Sequence, residues 1–524
     1  MNAVLQAWEA RGHDGAWVFS GTGSVDGAWL QARVALWRER LSRCAAQRVA
    51  TRLDNGVDWL CLDIALRQIG AVHVPLPMFF SPTQIDHALQ SASVDTLVLP
   101  GPFPAPEGWT RTDARADSNE PALHQRLVST VHALLHPGTA VITYTSGTTA
   151  QPKGVCLTFD HLTQVAQVLT DAAAPCAPRR HLCLMPLATL LENVGGLYAP
   201  MLAGAEICLP SLAEIGYSGA GGLDIAQLLR CLHHYQPHSM ILLPQLLRAL
   251  VMAAEAGASL PTSLRFIAVG GARVGAALIE RAMALGLPVF EGYGMSECAS
   301  VVCLNRPDAW RAGSVGRALP HVALHLGEGD VLEVQGPHML GYLGQPAAAA
   351  GRWRTGDLGR IDEDGFVHVL GRADNVIVTA YGRNVAPEWV ESELLQHAVI
   401  SQVAMFGEAQ AFNTAVIVPR SADTTVAALS AAVRQCNADL PEYARIAAFV
   451  VADAPFQLAN GQLTANGRPR RAVIAQHYAD ALLKLSPQAE LLGIDMLSPG
   501  TSQGDWRDLS APLSPTPLPQ GERG

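Results

Sequence analysis

From residue 48 to residue 271, short apolar runs alternate with amphipathic stretches at helical spacing. That alternation restricts the fold more tightly than anything else in the chain. "RVATRLD", "GAVHVPLP", "VDTLVLP" and "AVITYTS" read as buried strands. "VDWLCLDIALRQI" and "SPTQIDHALQSA" read as helices, the second opening on Ser81 as a cap with Pro82 behind it. "EICLP", "MILLP" and "RFIAVGG" continue the pattern. Strands separated by helical crossovers pair in parallel, so the expected class is α/β, with doubly wound, mostly parallel sheets.

After residue 310 the texture changes to short strands and tight turns. "GDVLEVQG" and "DEDGFVHVLGR" read as hairpins, the latter turning at Asp364–Gly365. A second, smaller α/β unit follows, from "NVIVTAYGRNVAPEWVESELLQH" through "VAMFGE" and "TAVIVP" to a last helix near 470–485. The end of the chain is rich in Pro, Ser and Gly and has little to bury. A chain of 524 residues exceeds one ordinary core. We expect a large N-terminal domain with a β-rich subdomain over 1–373, a small domain over 374–490, and a disordered tail over 491–524.

Hydrophobic residues make up 49% of the chain and charged residues 16%, a globular composition. The apolar stretch "SMILLPQLLRALVMAAEAG" is interrupted by Pro244 and Arg248 and falls short of a membrane span, which leaves only peripheral membrane contact open. Glu9, Arg11 and Asp14 stand where a signal peptide needs an apolar core, so a cytoplasmic location is expected. Ten cysteines are scattered without a C-x-x-C pair, which argues against a disulfide framework and against a cysteine metal site. A net charge of −10 argues against nucleic acid as a partner. Of 36 basic residues only Lys153 and Lys484 are lysine, so each lysine carries weight.

Lys153 lies in "YTSGTTAQPKGV", residues 144–155, between a strand and a helix. Thr145, Ser146, Thr148 and Thr149 surround Gly147. Small hydroxyls and flexible backbone amides of this kind wrap an anion, and lysine adds a point charge. Read alone, the segment is either a polar turn or such a cradle; the scarce lysine favours the cradle. The Walker A pattern is absent. "GMSEC" comes near a nucleophile elbow at Ser296 but lacks its second glycine.

This loop resembles that of the adenylate-forming, AMP-binding superfamily. "EGYGMSE" (291–297), "RTGDLG" (354–359), "GRADNVIVTAYGRNVAPEWVE" (371–391) and "LTANGRPRR" (463–471) resemble its further motifs, in its order and spacing. The likeness covers roughly residues 15–485 and is nearest to the long-chain fatty acyl-CoA synthetases. It implies a large domain, a small mobile domain and a two-step reaction. A carboxylic acid attacks the α-phosphate of ATP to give an acyl-adenylate and pyrophosphate, and coenzyme A then takes the acyl group. A carrier protein or an amine is the alternative acceptor.

The resemblance implies roles position by position. The loop from Thr145 to Lys153 would hold the β- and γ-phosphates. Glu297 would ligate Mg²⁺, for which a hard oxygen is suited. Ser296, where threonine is usual, would touch the α-phosphate. Tyr293 would stack on adenine beside Gly294, with Gly270, Gly271 and Ala272 lining the base. Asp357 and Arg372 would bind the ribose. Asp374 matches the hinge, and Gly382 the position where the backbone passes pantetheine.

"MPLATLLENVGG" (185–196) matches the border of the acyl pocket, with Thr189, Val194 and Gly195 as candidates and Leu187, Leu190, Leu191 and Leu197 as an apolar wall. The other reading of those leucines is plain helix core. No aspartate there pairs with an amino group, so a medium- to long-chain or aryl-apolar acid is expected. Three positions depart from the pattern. Thr189 stands where histidine is usual, Ala150 replaces a glycine, and Arg468 occupies the catalytic lysine position. Arginine is planar and forked, so the last change is not conservative at a bridging site. It leaves a second reading open, a degenerate relative that binds an acyl-adenylate or acyl-CoA and adenylates weakly.

Overall fold

The apolar runs become central strands, and the amphipathic stretches become the helices that cover them. The protein is described here by a computed structural model covering residues 2–11, 15–21, 23–101, 103–104, 106–112, 120–126, 135–145, 152–218, 222–381, 383–464, 467–485 and 493–495. Ser146, Gly147, Thr148, Thr149, Ala150, Gly382 and the stretch 496–524 lie outside the described residues.

Arg48–Thr51, Val72–Pro75, Thr96–Leu99 and Val141–Thr145 lie in one sheet, where the first of them pairs in parallel with both the second and the third. Antiparallel strands, among them Lys153–Leu157, close its edges. Glu206–Cys208, Ser239–Leu242, Phe266–Val269 and Val289–Met295 belong to a second sheet, again parallel at its centre. The first core fills the space around helices Gly27–Arg43 and Val57–Ile69, with Trp8, Trp37 and Trp59 almost fully buried. The expected α/β class with two doubly wound sheets is what is observed.

Helix Pro82–Ser91 starts at Ser81, whose side chain accepts from the Gln84 backbone N–H while Gln84 returns a bond to the Ser81 N–H. Beyond residue 310 four antiparallel strands, Ala323–Leu326, Val331–Gln335, Arg352–Ile361 and Val367–Arg372, form a separate sheet. The turn between the last two has Gly365 at φ 80°, and the Asp362 carboxylate accepts from the Asp364 and Phe366 N–H groups.

From residue 377 the chain builds a core of its own around Leu394, Met405, Ile417, Leu429 and Phe449. Its strands Ile400–Phe406, Asn413–Pro419 and Ile446–Val451 gain a fourth, Gly493–Asp495, paired in parallel with Phe449–Val451. That strand lies inside the stretch expected to be structureless, where the sequence "LLGIDML" is apolar. The last helix is in fact two short ones, Arg471–His477 and Ala479–Leu483. They break at Tyr478, whose buried hydroxyl donates to Asp453.

Candidate active site

A cleft of about 2530 Å³ runs between the strand ends of the large region and the small α/β unit. Ligand pockets usually hold roughly 300–1,000 Å³, so this one has room for several groups at once. Strands Phe266–Val269 and Val289–Met295 deliver Gly270–Ala272 and Tyr293–Glu297 to it from their carboxyl ends, where α/β sheets bind ligands.

Two polar constellations line the cleft. In the first, the Tyr293 hydroxyl donates to Asp357 Oδ2 at 2.5 Å and Arg372 Nη1 donates to Oδ1 at 3.2 Å. Burial disfavours the Arg372 charge, but the Asp357 carboxylate outweighs it and raises the guanidinium pKa. In the second, Tyr342 Oη donates to Glu297 Oε1 at 2.7 Å, while Lys153 Nζ sits 5.2 Å from the centre of the Tyr342 ring. Thr145 ends its strand at the same cleft. Tyr342 is missing from the sequence reading. It sits in a two-residue strand 45 residues beyond Glu297, and nothing in "LGYLGQ" signals the meeting.

Backbone geometry explains the glycines. A Cβ on Gly294 would stand 1.6 Å from the Ser300 carbonyl oxygen, because the two paired strands approach closely after the turn at Ser296–Cys298. Gly271 has φ 83° and a Cβ there would meet Leu243 at 2.9 Å. Ala299 (φ 57°) and Ser300 (φ 113°) hold left-handed conformations beside Glu297, backbone strain of the kind that gathers at functional sites.

The three arginines of "LTANGRPRR" part company. Thr464 and Arg468 tie the loop by backbone and hydroxyl bonds of 2.8 and 3.0 Å. Arg468 Nη2 then crosses into the large region and donates to the Gly271 carbonyl at 2.6 Å. Arg470 reaches back to Gly461 O at 3.4 Å. Arg471 pairs with Glu391 at 2.6 Å and Glu388 at 3.2 Å, inside the small unit. Lys484, just past the last helix, is exposed and does not line the cleft. Asp374 lies in a turn, Ala373–Asn375, where the chain passes to the small unit, and lines the cleft.

One arm of the cleft is apolar, lined by Leu169, Ala173, Ala188, Leu191, Ile241 and Ala268 among others. Thr189 and Gly195 line it. Thr189 engages its hydroxyl with the Pro186 carbonyl at 2.7 Å, which takes the polar group out of play. Val194 is not brought to the arm: like Leu187 and Leu197 it is fully buried in the main core. The reason is a wide π-helical turn over Glu192–Tyr198, which rotates Val194 away from the direction that α-helical spacing implies.

Known proteins match this arrangement. A family described as AMP-binding enzyme matches residues 43–343, and one described as AMP-binding enzyme C-terminal domain matches 374–488. A long-chain-fatty-acid–CoA ligase of Mycobacterium tuberculosis is 26% identical, over 87% of this chain and 92% of its own length. A 2-succinylbenzoate–CoA ligase of Bacillus cereus is 28% identical, over 69% and 75%. An anthranilate–CoA ligase solved with anthranoyl-AMP superposes with TM-score 0.75 at 18% identity, covering 92% of this chain and 98% of that one. The o-succinylbenzoate–CoA synthetase of Bacillus subtilis solved with ATP and magnesium gives 0.69 at 21%, covering 90% and 98%. A match over more than half of the chain, on a cleft built from the motifs that suggested it, settles the family. This chain belongs to the AMP-binding enzymes of the adenylate-forming superfamily.

Proposed function

We propose that this protein activates an apolar carboxylic acid, a medium- or long-chain fatty acid, with ATP to form an acyl-adenylate, and then passes the acyl group to coenzyme A. The observation that carries this reading is the Arg468 guanidinium meeting the Gly271 carbonyl at 2.6 Å, inside the cleft that polar and apolar side chains line together. Asp357 and Arg372 orient the ribose, Tyr293 flanks the base, and Lys153 with Thr145–Thr149 holds the terminal phosphates. The Glu297 carboxylate, fixed by Tyr342, is a hard oxygen donor suited to Mg²⁺. The ion would neutralise phosphate charge. Arg468 stabilises the charge that develops where the carboxylate meets the α-phosphate. The wall of Leu169, Ala173, Leu191 and Ile241 excludes water and selects an apolar tail. The domain division 1–373 and 374–490, with Asp374 as hinge and Gly382 beside the incoming pantetheine, belongs to the same reading.

The test is pyrophosphate release with ATP–Mg²⁺ over a panel of fatty and aryl acids, with and without coenzyme A, and mass detection of the thioester. Release with fatty acids and an acyl-CoA product is expected. Arginine at position 468 favours one second reading, a binding protein with weak adenylation. It is supported if no acid gives pyrophosphate and Arg468→Lys restores release. Release without thioester points to a carrier protein or an amine as acceptor.

A further inference from the structure

Beneath the apolar arm lies a group of side chains that the adenylation reading does not use. His181 is the middle residue of the strand Arg180–Leu182, Cys183 follows just past the end of that strand, and Glu192 opens the π-helical turn. One donor atom from each lies within 4.8 Å of the others, and all three residues are buried. Among the described residues it is the one group of at least three histidine, cysteine or carboxylate side chains so arranged.

The Cys183 thiol donates to the Gly196 carbonyl at 3.2 Å, but the other polar atoms facing the cluster are unmatched. No donor comes within hydrogen-bonding geometry of either Glu192 carboxylate oxygen or of His181 Nε2, although Glu192 is fully buried and His181 is 3% exposed; His181, Cys183 and the Met185 backbone face the carboxylate only at longer range. Unpartnered polar groups in such a place are destabilising unless something binds them. His181 Nε2 stands 3.8 Å from Glu192 Oε1, too far for a direct bond. The other ring nitrogen, Nδ1, lies 3.0 Å from Ser239 Oγ, which fixes the ring with Nε2 aimed at the cluster. Metal-bound histidines are oriented by a second partner in the same way. A Cβ on Gly196 would come within 2.5 Å of Glu192 Oε1 and 3.1 Å of His181 Nε2, so only glycine leaves this space open.

We propose that His181, Cys183 and Glu192 bind one Zn²⁺ ion in the wall of the acyl arm. A neutral imidazole, a thiolate and a carboxylate balance the two positive charges, so the buried site becomes electrically neutral. The donors suit zinc, with metal–ligand distances of about 2.0–2.3 Å reached by a small contraction of the cluster. On binding, the Cys183 thiol loses its proton to solvent and the sulfur bonds to the metal. His181 borders the cleft, which gives the ion a way in. The bound ion ties the strand Arg180–Leu182 to the turn Glu192–Tyr198 and so fixes the wall that carries Gly195.

The experiment uses full-length protein, freed of metal and titrated with Co²⁺ as a spectroscopic stand-in. The expected result is a thiolate-to-cobalt charge-transfer band saturating at about one equivalent, displaced by Zn²⁺ and missing in Cys183→Ser. Ser239→Ala keeps all three ligands, and its metal affinity should fall by roughly 10–100-fold, a change that a packing role for Ser239 would not produce. The proposal is overturned if the wild type shows no such band, if Cys183→Ser keeps it, or if Ser239→Ala binds as tightly as the wild type. Should Cys183→Ser fail to fold, the wild-type titration and Ser239→Ala decide the matter by themselves.

Discussion

Arginine at position 468 brings a planar, five-donor cation to a place where the related motif carries a flexible ammonium. Its fork bonds the Gly271 carbonyl and keeps further N–H groups to offer to phosphate or carboxylate oxygens. Tyr293 has a narrower task. Removing its hydroxyl in Tyr293→Phe leaves Asp357 Oδ2 without that donor, a loss of about 1 kcal/mol. The KM for ATP should rise by about fivefold with kcat little changed, as initial-rate kinetics will show. Glu291 predicts a pH effect. Burial pushes its carboxyl up to about 8, and only Oε1 has a partner, the Val274 N–H at 3.2 Å. A raised folded-state value means that the folded protein holds the proton more tightly than the unfolded chain. The resulting stability is fully present below the unfolded value, roughly pH 4.3, and is lost as pH rises through 8. Glu291→Gln should remove that loss. In thermal melts it should match the wild type at low pH and exceed it above pH 8.

At the scale of elements, period and punctuation carried most of the information. The strands Arg48–Thr51, Val72–Pro75, Thr96–Leu99 and Val141–Thr145 were legible because strands buried on both faces are continuous apolar runs. The helix at Pro82 was legible because Ser81 reads as its cap with Pro82 behind it, and the structure adds Gln84 to complete a capping box. Ser81→Ala should cost about 1 kcal/mol, seen as a lower denaturant midpoint with an unchanged slope. The turn Glu192–Tyr198 was not legible, since a π-helical segment leaves no period that α-helical spacing would register. It moved Val194 into the core and brought Glu192 to His181. His181 and Cys183, two apart at the end of one strand, did leave a signal, but it is not a C-x-x-C pair. The ordered motifs located Asp357, Arg372, Glu297 and Lys153 around one cleft. Tyr342 escaped because contacts between distant segments are set by the fold.

At the scale of the whole molecule, the cleft is shared between two units with separate cores, and one loop of the small unit crosses it. In our reading the small unit swings about Asp374 after adenylation, withdraws Arg468 and brings Gly382 toward the thiol. Asp374→Pro fixes φ at the pivot. It should leave pyrophosphate release nearly intact while lowering thioester formation by about tenfold or more, a split that single-turnover assays of the two half-reactions resolve.

The measurement that bears most directly on the central claim is single-turnover pyrophosphate release with ATP–Mg²⁺ and the best fatty acid, comparing wild type with Arg468→Ala. Withdrawing a charge-stabilising donor from such a site costs roughly 10²–10³-fold in rate. The account predicts a fall of that size with ATP binding retained. An Arg468→Ala enzyme that releases pyrophosphate as fast as the wild type would contradict it.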